Sequence, residues 1–417
     1  MLFLYRLLIN VIFLISPIII VFRLFKKKES FKRFKEKFCF FTQKRNDGKL
    51  LWFHGASVGE LQSIVPLLEK LEKKKSIDKI LITSNTLSSS KILEKLKFKK
   101  VIHQFFPIDT NFHSRKFLKY WKPSAVFFID SEIWPNMYFN LAKNDIPIIL
   151  LNGRITKKSF SKWKIFPYFS KQIFQIFSLC FSSSLESKKY LRKLGAKNVK
   201  FIGNLKFSQS EKENLEINQK LKKFIKSRRT WCASSTHQYE EKICGLTHIK
   251  LKKRFKNLLT IIIPRHIDRS DLIEKELNEL NLKTCRHETD GKLKKNIDVY
   301  IVDTYGKSKT FYSLCKNIFL GGSLINHGGQ NPLEATKYGC KILHGPNVSN
   351  FKEIYSFLKK NKISQKVYNE KDMLRCLKKL FSKKSNSIKI QNKLNNIGQK
   401  ILQNTYKEIN LVLKNEI

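Results

Sequence analysis

The sequence predicts an α/β protein of two lobes, each built on a parallel sheet, with an apolar segment ahead of them. Three observations predict it. Short apolar runs rich in β-branched and aromatic residues recur, separated by helix-length Lys/Glu-rich stretches, which is the pattern of βαβ units. The alternation breaks once, over residues 208–229, and then resumes. A chain of 417 residues is also longer than one hydrophobic core usually supports.

The elements follow in order. From Leu7 to Phe22 the run LLINVIFLISPIIIVF carries no charge, and its sixteen residues would reach only about 24 Å as a helix, short of a hydrocarbon core of about 30 Å. Such a segment is either a short anchor or a helix lying in the membrane interface. Basic residues from Arg23 to Lys37 follow, which by the positive-inside rule keeps the rest of the chain on the cytoplasmic face, and no small-residue cleavage site follows. Strands are expected at 50–54, 79–83, 101–106, 125–129, 147–152, 179–183 and 199–202, then at 230–234, 258–263, 299–303, 317–320 and 341–344. The expected plan is a membrane helix at 1–25, a basic segment at 26–48, a first lobe at 49–207, a linker at 208–229 and a second lobe at 230–417. A cleft between two such lobes is the default ligand site.

A net charge of +49 invites a nucleic-acid reading, but few of the 82 basic residues are Arg, and no zinc-finger, RNP-type or basic-zipper pattern is present. The charge fits a surface facing anionic lipid or acidic substrates, with no nucleic acid as partner. The eight cysteines are scattered without any CxxC pair, which fits a reducing compartment and buried thiols.

Polar clusters stand where strands should end. In LLWFHGASVGE, Ser57 and Glu60 have capping-box spacing, and Glu60 is equally placed to be a general base, because open α/β sheets bind ligands beyond the carboxyl ends of their strands. Asp130 and Glu132 follow the fourth run; strand alternation would turn only one of them toward a site. Arg154 lies in NGRI and Lys206 in GNLKF. In the second half come SSTHQYEE, Pro264-Arg265-His266 and DTYGK. The longest signal is GGSLINHGGQNPLEA, where two glycine pairs admit a ligand to the backbone, Asn331 can cap, Pro332 suits a first helical position, and Glu334 could bind vicinal ribose hydroxyls.

The strings FHGASVGE, SEIWPN, NGRIT, GNLKF, SSTHQYEE, PRHIDR, DTYGK and GGSLINHGGQNPLEA, in this order, resemble the bacterial 3-deoxy-D-manno-octulosonic acid (Kdo) transferases over nearly the whole chain. The resemblance implies a GT-B fold of two Rossmann-like lobes, a CMP-Kdo donor, a lipid A precursor acceptor, inner-membrane association and no cofactor or metal. It implies that Glu60 is the proton acceptor and that Asp130 and Lys206 stabilise the transition state. Pro264, Arg265, Tyr305, Gly306, Lys307, Asn331, Pro332, Leu333 and Glu334 would hold CMP. The family commonly has Glu at the position of Asp130 and an acid at that of Lys307. Two other readings remain at this stage: a GT-B enzyme using a UDP-sugar, and a non-enzymatic basic protein of the membrane surface.

Overall fold

The computed structural model describes residues 1–209, 217–287, 296–383 and 386–415. The chain divides into two compact units, one of residues 1–210 with 397–417 and one of residues 211–396.

The first unit holds a seven-stranded sheet of β1 (Leu50–His54), β2 (Lys79–Ser84), β3 (Val101–Phe105), β4 (Ala125–Ile129), β5 (Ile148–Gly153), β6 (Leu179–Ser182) and β7 (Val199–Phe201), in the order β3-β2-β1-β4-β5-β6-β7. All its pairings are parallel. β1 and β4 are buried at every residue, as strands covered on both faces must be, which is why they read as unbroken apolar runs. Chain order reverses between β1 and β4, so their carboxyl ends flank the crevice where such sheets bind ligands.

The second unit repeats the plan with β8 (Arg229–Thr236), β9 (Leu258–Pro264), β10 (Thr284–Arg286), β11 (Val299–Ile301), β12 (Asn317–Leu320), β13 (Lys341–His344) and β14 (Ser364–Lys366). Its order, β10-β11-β9-β8-β12-β13-β14, puts the switch between β8 and β12. Alternate residues of β8 feed two separate cores, Cys232 into one and Trp231 and Ala233 into the other. All twelve expected strands are present; β10 and β14 are additional.

The lobe boundary differs from the expected one at the C-terminus. The last helix, Ser387–Asn415, leaves the second unit and packs on the first. Gly398 lies so close to the backbone of Phe207 that a Cβ would stand 2.3 Å from its carbonyl oxygen, and Lys200 Nζ meets Glu408 Oε2 at 2.6 Å. Part of the expected linker, residues 210–216, lies outside the described residues, while its remainder forms the helix Gln219–Lys226, whose Leu221 and Ile225 join a core of the second unit.

The apolar N-terminal segment is longer than its uncharged run. It is helical over Leu2–Phe25, about 36 Å at 1.5 Å per residue, and among the described residues it alone is long and apolar enough to cross a membrane. All eight cysteines are free and buried.

Candidate active site

In the first unit, Ser57 caps the helix Val58–Glu72 that follows β1. Its hydroxyl donates to Glu60 Oε1 at 2.9 Å, and the Ala56 amide donates to Glu60 Oε2 at 2.8 Å. Ser57 Oγ also accepts the Glu60 amide at 3.4 Å, so the cap expected from the spacing is made, with the carboxylate on the Ala56 amide in place of that of Ser57. It does not leave Glu60 an ordinary carboxylate, because burial, followed by the charges of Asp130 and Glu132, raises its pKa to about 7 against the lowering hydrogen bonds from Ser57 and Ala56. A half-buried acid of that pKa exchanges its proton near neutral pH, as a general base needs to do.

Asp130 follows β4 with φ of 61°, a left-handed conformation that ends the strand and breaks side-chain alternation. Both Asp130 and Glu132 consequently act on Glu60, where alternation had turned only one inward. Asp130 Oδ2 accepts from Lys206 Nζ at 2.9 Å, and its Oδ1 accepts from Asn152 Nδ2. Despite its short side chain, Asp130 thus reaches Lys206. Asn152, itself at φ of 55°, ties the pair together by accepting the Leu205 amide at 2.9 Å. Asn204 accepts the Lys206 amide at 2.9 Å, fixing the turn that presents the lysine. The Arg154 amide donates to the Asp130 carbonyl at 3.0 Å.

Glu132 is held from the other side by the indole of Trp134, which it shares with a buried histidine. His54, the last residue of β1, lies between Thr83 Oγ1 at 2.9 Å and Trp134 Nε1 at 3.2 Å, and the same indole N–H also reaches Glu132 Oε2 at 3.2 Å. Burial lowers the His54 pKa. With the indole as donor, Nε2 is the acceptor and the imidazole is neutral.

In the second unit the expected nucleotide residues all lie at or beyond the carboxyl ends of strands, Pro264 as the last residue of β9 with Arg265 next, Tyr305 to Lys307 after β11, and Asn331 to Glu334 after β12. Pro264 is buried, while Arg265 is exposed with its amide on the Thr236 carbonyl at 3.0 Å. Tyr305, Gly306 and Lys307 form an exposed turn, with Gly306 at φ of 81°. Asn331 Oδ1 accepts the Leu333 amide at 3.1 Å, capping the short helix Leu333–Lys337 as expected, with Pro332 already at helical φ and ψ of −82° and −10°. Pro332 and Leu333 are buried, and Glu334 is exposed.

What holds the glycine-rich loop was not visible in the sequence. Glu240, fully buried in the first turn of the helix Glu240–Lys252, accepts the amides of His237 at 3.0 Å, Gly322 at 2.7 Å, Ser323 at 3.1 Å and Leu324 at 3.0 Å. Gly321 is required there, since a Cβ would stand 2.4 Å from the Ser235 carbonyl oxygen. The string SSTHQYEE contained this residue, but two adjacent glutamates gave no sign of which one turns inward.

Two doubly wound parallel sheets, each with polar loops gathered at its switch point, define a two-lobed α/β enzyme of the GT-B class. Likeness to solved structures agrees at the level of fold: a putative UDP-N-acetylglucosamine 2-epimerase from Listeria monocytogenes matches with a TM-score of 0.61 at 12% identity over 88% of this chain and 96% of its own. A glycosyltransferase from Rickettsia africae matches with a TM-score of 0.56 at 12% identity, over 89% of this chain and all of its own. Sequence comparison is more specific. The family described as 3-deoxy-D-manno-octulosonic-acid transferase (kdotransferase) matches residues 32–209. The 3-deoxy-D-manno-octulosonic acid transferase of Rickettsia bellii is 32% identical over 91% of this chain and 91% of its own, and that of Rickettsia prowazekii 34% over 86% and 77%. The chain belongs to the Kdo transferase family and is a glycosyltransferase.

Proposed function

We propose that the protein transfers Kdo from CMP-Kdo to a lipid A precursor by a metal-independent inverting displacement, at the cytoplasmic face of the inner membrane. The observation that carries the reading is the Glu60 carboxyl held at a pKa of about 7 beside the Asp130–Lys206 ion pair, at the switch point of the first sheet. Glu60 takes the proton from an acceptor hydroxyl as that oxygen bonds to the anomeric carbon of Kdo. The bond from that carbon to the phosphate oxygen breaks, and CMP leaves with the electron pair. One displacement assisted by one base inverts the anomeric centre.

Lys206 has three N–H donors, of which one goes to Asp130. The others suit the Kdo carboxylate or the departing phosphate, and Asp130 keeps the ammonium in place. In the second lobe Arg265, the turn 305–307 and the segment 331–334 recognise CMP, with Glu334, exposed on its helix, on the ribose hydroxyls. The exposed Lys307 meets the nucleotide phosphate or solvent, where an acid would oppose an anion. The lysine-rich stretch after the N-terminal helix supports a location against anionic lipid.

The test is incubation of the protein with CMP-Kdo and tetraacylated lipid A precursor, with product masses read out. A mass gain of one or more Kdo units supports the reading. Turnover of a UDP-sugar instead, with stabilisation against heat by UDP and not CMP, would replace it.

A further inference from the structure

The N-terminal helix is docked lengthwise on the first lobe, and this decides how it can meet a membrane. Its residues sheltered from solvent are Leu2, Tyr5, Arg6, Ile9, Phe13, Ser16, Ile20, Arg23 and Leu24, spaced three and four apart along a single face. Every other residue of the helix is exposed, among them Phe3, Leu7, Leu14, Ile18, Phe22 and Phe25.

Contacts run the whole length of the sheltered face. Near its start, Tyr5 donates to Asp109 Oδ2 at 2.7 Å, and Arg6 donates to Asn136 Oδ1 at 2.9 Å and Asn111 Oδ1 at 3.3 Å. Asp109 also accepts the amides of Asn136 and Met137, so the helix is tied to the start of Pro135–Lys143, the segment after Glu132 and Trp134. In the middle, the Phe13 ring lies 4.9 Å from that of His113 and 6.0 Å from that of Phe38. At the end, Arg23 pairs at 2.7 Å with buried Glu29, which also takes Lys37 at 2.6 Å. Lys37 and Glu36 are in turn fixed to the edge of the sheet, through the Ile108 amide on the Lys37 carbonyl and the Phe105 amide on Glu36.

From Tyr5 to Arg23 is about 27 Å of helix. Were the helix to span a bilayer, those two residues would sit at opposite headgroup layers, and the lobe that grips both would have to cross the hydrocarbon with them. A seven-stranded sheet with polar loops and a lysine-rich surface cannot do that. Exposed charge in the segment that follows the helix has one sign. The acids within residues 1–46 are Glu29 and Glu36, both buried in ion pairs, while Lys26, Lys27, Lys28, Lys32 and Lys35 are exposed.

We infer that the helix Leu2–Phe25 lies in the plane of the membrane, with its exposed face sunk into the lipid of an anionic leaflet and its sheltered face holding the first lobe against that leaflet. The inference rests on the membrane association proposed above and replaces a spanning anchor with a monotopic one. Because the helix is bonded to the segment after Glu132, the same contacts fix the orientation of the Glu60 cluster to the lipid surface.

The test is a nitroxide scan of the full chain bound to phosphatidylglycerol/phosphatidylethanolamine vesicles. Single cysteines replace Leu4, Leu8, Ile15 and Ile19 on the exposed face and Ile9 and Phe13 on the sheltered face, and the buried native thiols leave a low background. Each labelled variant is first shown to melt with the cooperativity of the parent. The expected result is oxygen accessibility that rises and falls with the helical period, with the exposed-face labels at one shallow depth from Leu4 to Ile19. A depth profile that is greatest near the helix middle and shallow at both ends, without that period, overturns the inference and leaves the membrane reading intact. Water-soluble relaxant reaching every exposed-face label would overturn both.

Discussion

Each lobe delivers a glutamate to the first turn of the helix that follows its first strand, at the switch point of its sheet: Glu60 after β1 in the first, Glu240 after β8 in the second. Their positions in the two topologies are equivalent, and each accepts hydrogen bonds at the start of its helix. Their surroundings differ. Glu240 is fully buried and accepts four backbone amides, which use both its oxygens. Glu60 is half-buried, accepts one amide and one hydroxyl, and faces Asp130 and Glu132. An acid surrounded by amides becomes a structural clamp. One half-buried, short of donors and beside like charges holds its proton more tightly than a free carboxylate, tightly enough to trade it near pH 7. The capping box and the proposed base are thus compatible readings of Glu60; the cap sets its direction, and burial, then the neighbouring charges, set its affinity for the proton.

The largest effect expected from this contrast is on the rate. Glu60→Gln should lower Kdo transfer by about 10² to 10⁴ while leaving CMP affinity near that of the parent, because the amide keeps the cap and cannot take a proton. Turnover close to the parent's would make Glu60 a cap only. Lys206→Met should cost about 10² to 10³ in rate, since it removes the cation and leaves Asp130, bound to Asn152, without its counter-charge. A loss confined to KM for donor would show that Lys206 acts in binding alone.

Glu240→Gln should behave in the opposite manner. One carbonyl and one NH₂ would replace two acceptor oxygens facing four amides, so the second lobe should lose about 2 to 4 kcal/mol of stability and donor affinity should fall, with the rate at saturating donor much less affected. Thermal melts and donor titrations separate these outcomes, and a variant as stable as the parent would end the clamp assignment.

The smallest effect is on stability at Glu60. Its folded pKa of about 7 lies above the ordinary 4.5, so its contribution to folding is fully present below about 4.5 and is lost as pH rises through about 7. Glu60→Gln should therefore be more stable than the parent at pH 8, by about 1 to 2 kcal/mol after solvent screening, and equal to it at pH 4. Denaturant midpoints at the two pH values measure the difference; a variant less stable at pH 8 would contradict the assigned pKa.

Much of this arrangement could be read from residue order, because buried parallel strands such as LLWFH and AVFFI are apolar throughout but for the terminal His54, and parallel sheets put polar residues at their ends. β10 and β14 escaped because TCR and SQK are three residues long and mostly polar. The return of the last helix to the first lobe escaped for another reason: an amphipathic pattern declares a buried face without naming the surface that covers it. Asp130 was found from its string, but its inward turn depends on a left-handed backbone conformation that pattern reading does not foresee. Asn152 and Glu240 hold partners as far as 53 and 84 residues away, where short-range spacing carries no information.

The account stands most directly on the pH dependence of a single turnover, measured with CMP-Kdo bound and acceptor saturating. The parent's rate should rise with pH to a plateau with a midpoint near 7, in proportion to ionised Glu60. In Asp130→Asn the midpoint should move to lower pH, because one neighbouring negative charge is gone and Lys206 is no longer paired with it. A parent midpoint near 4.5, or a midpoint unmoved by Asp130→Asn, would contradict the claim that Glu60, raised by burial and by Asp130, is the base.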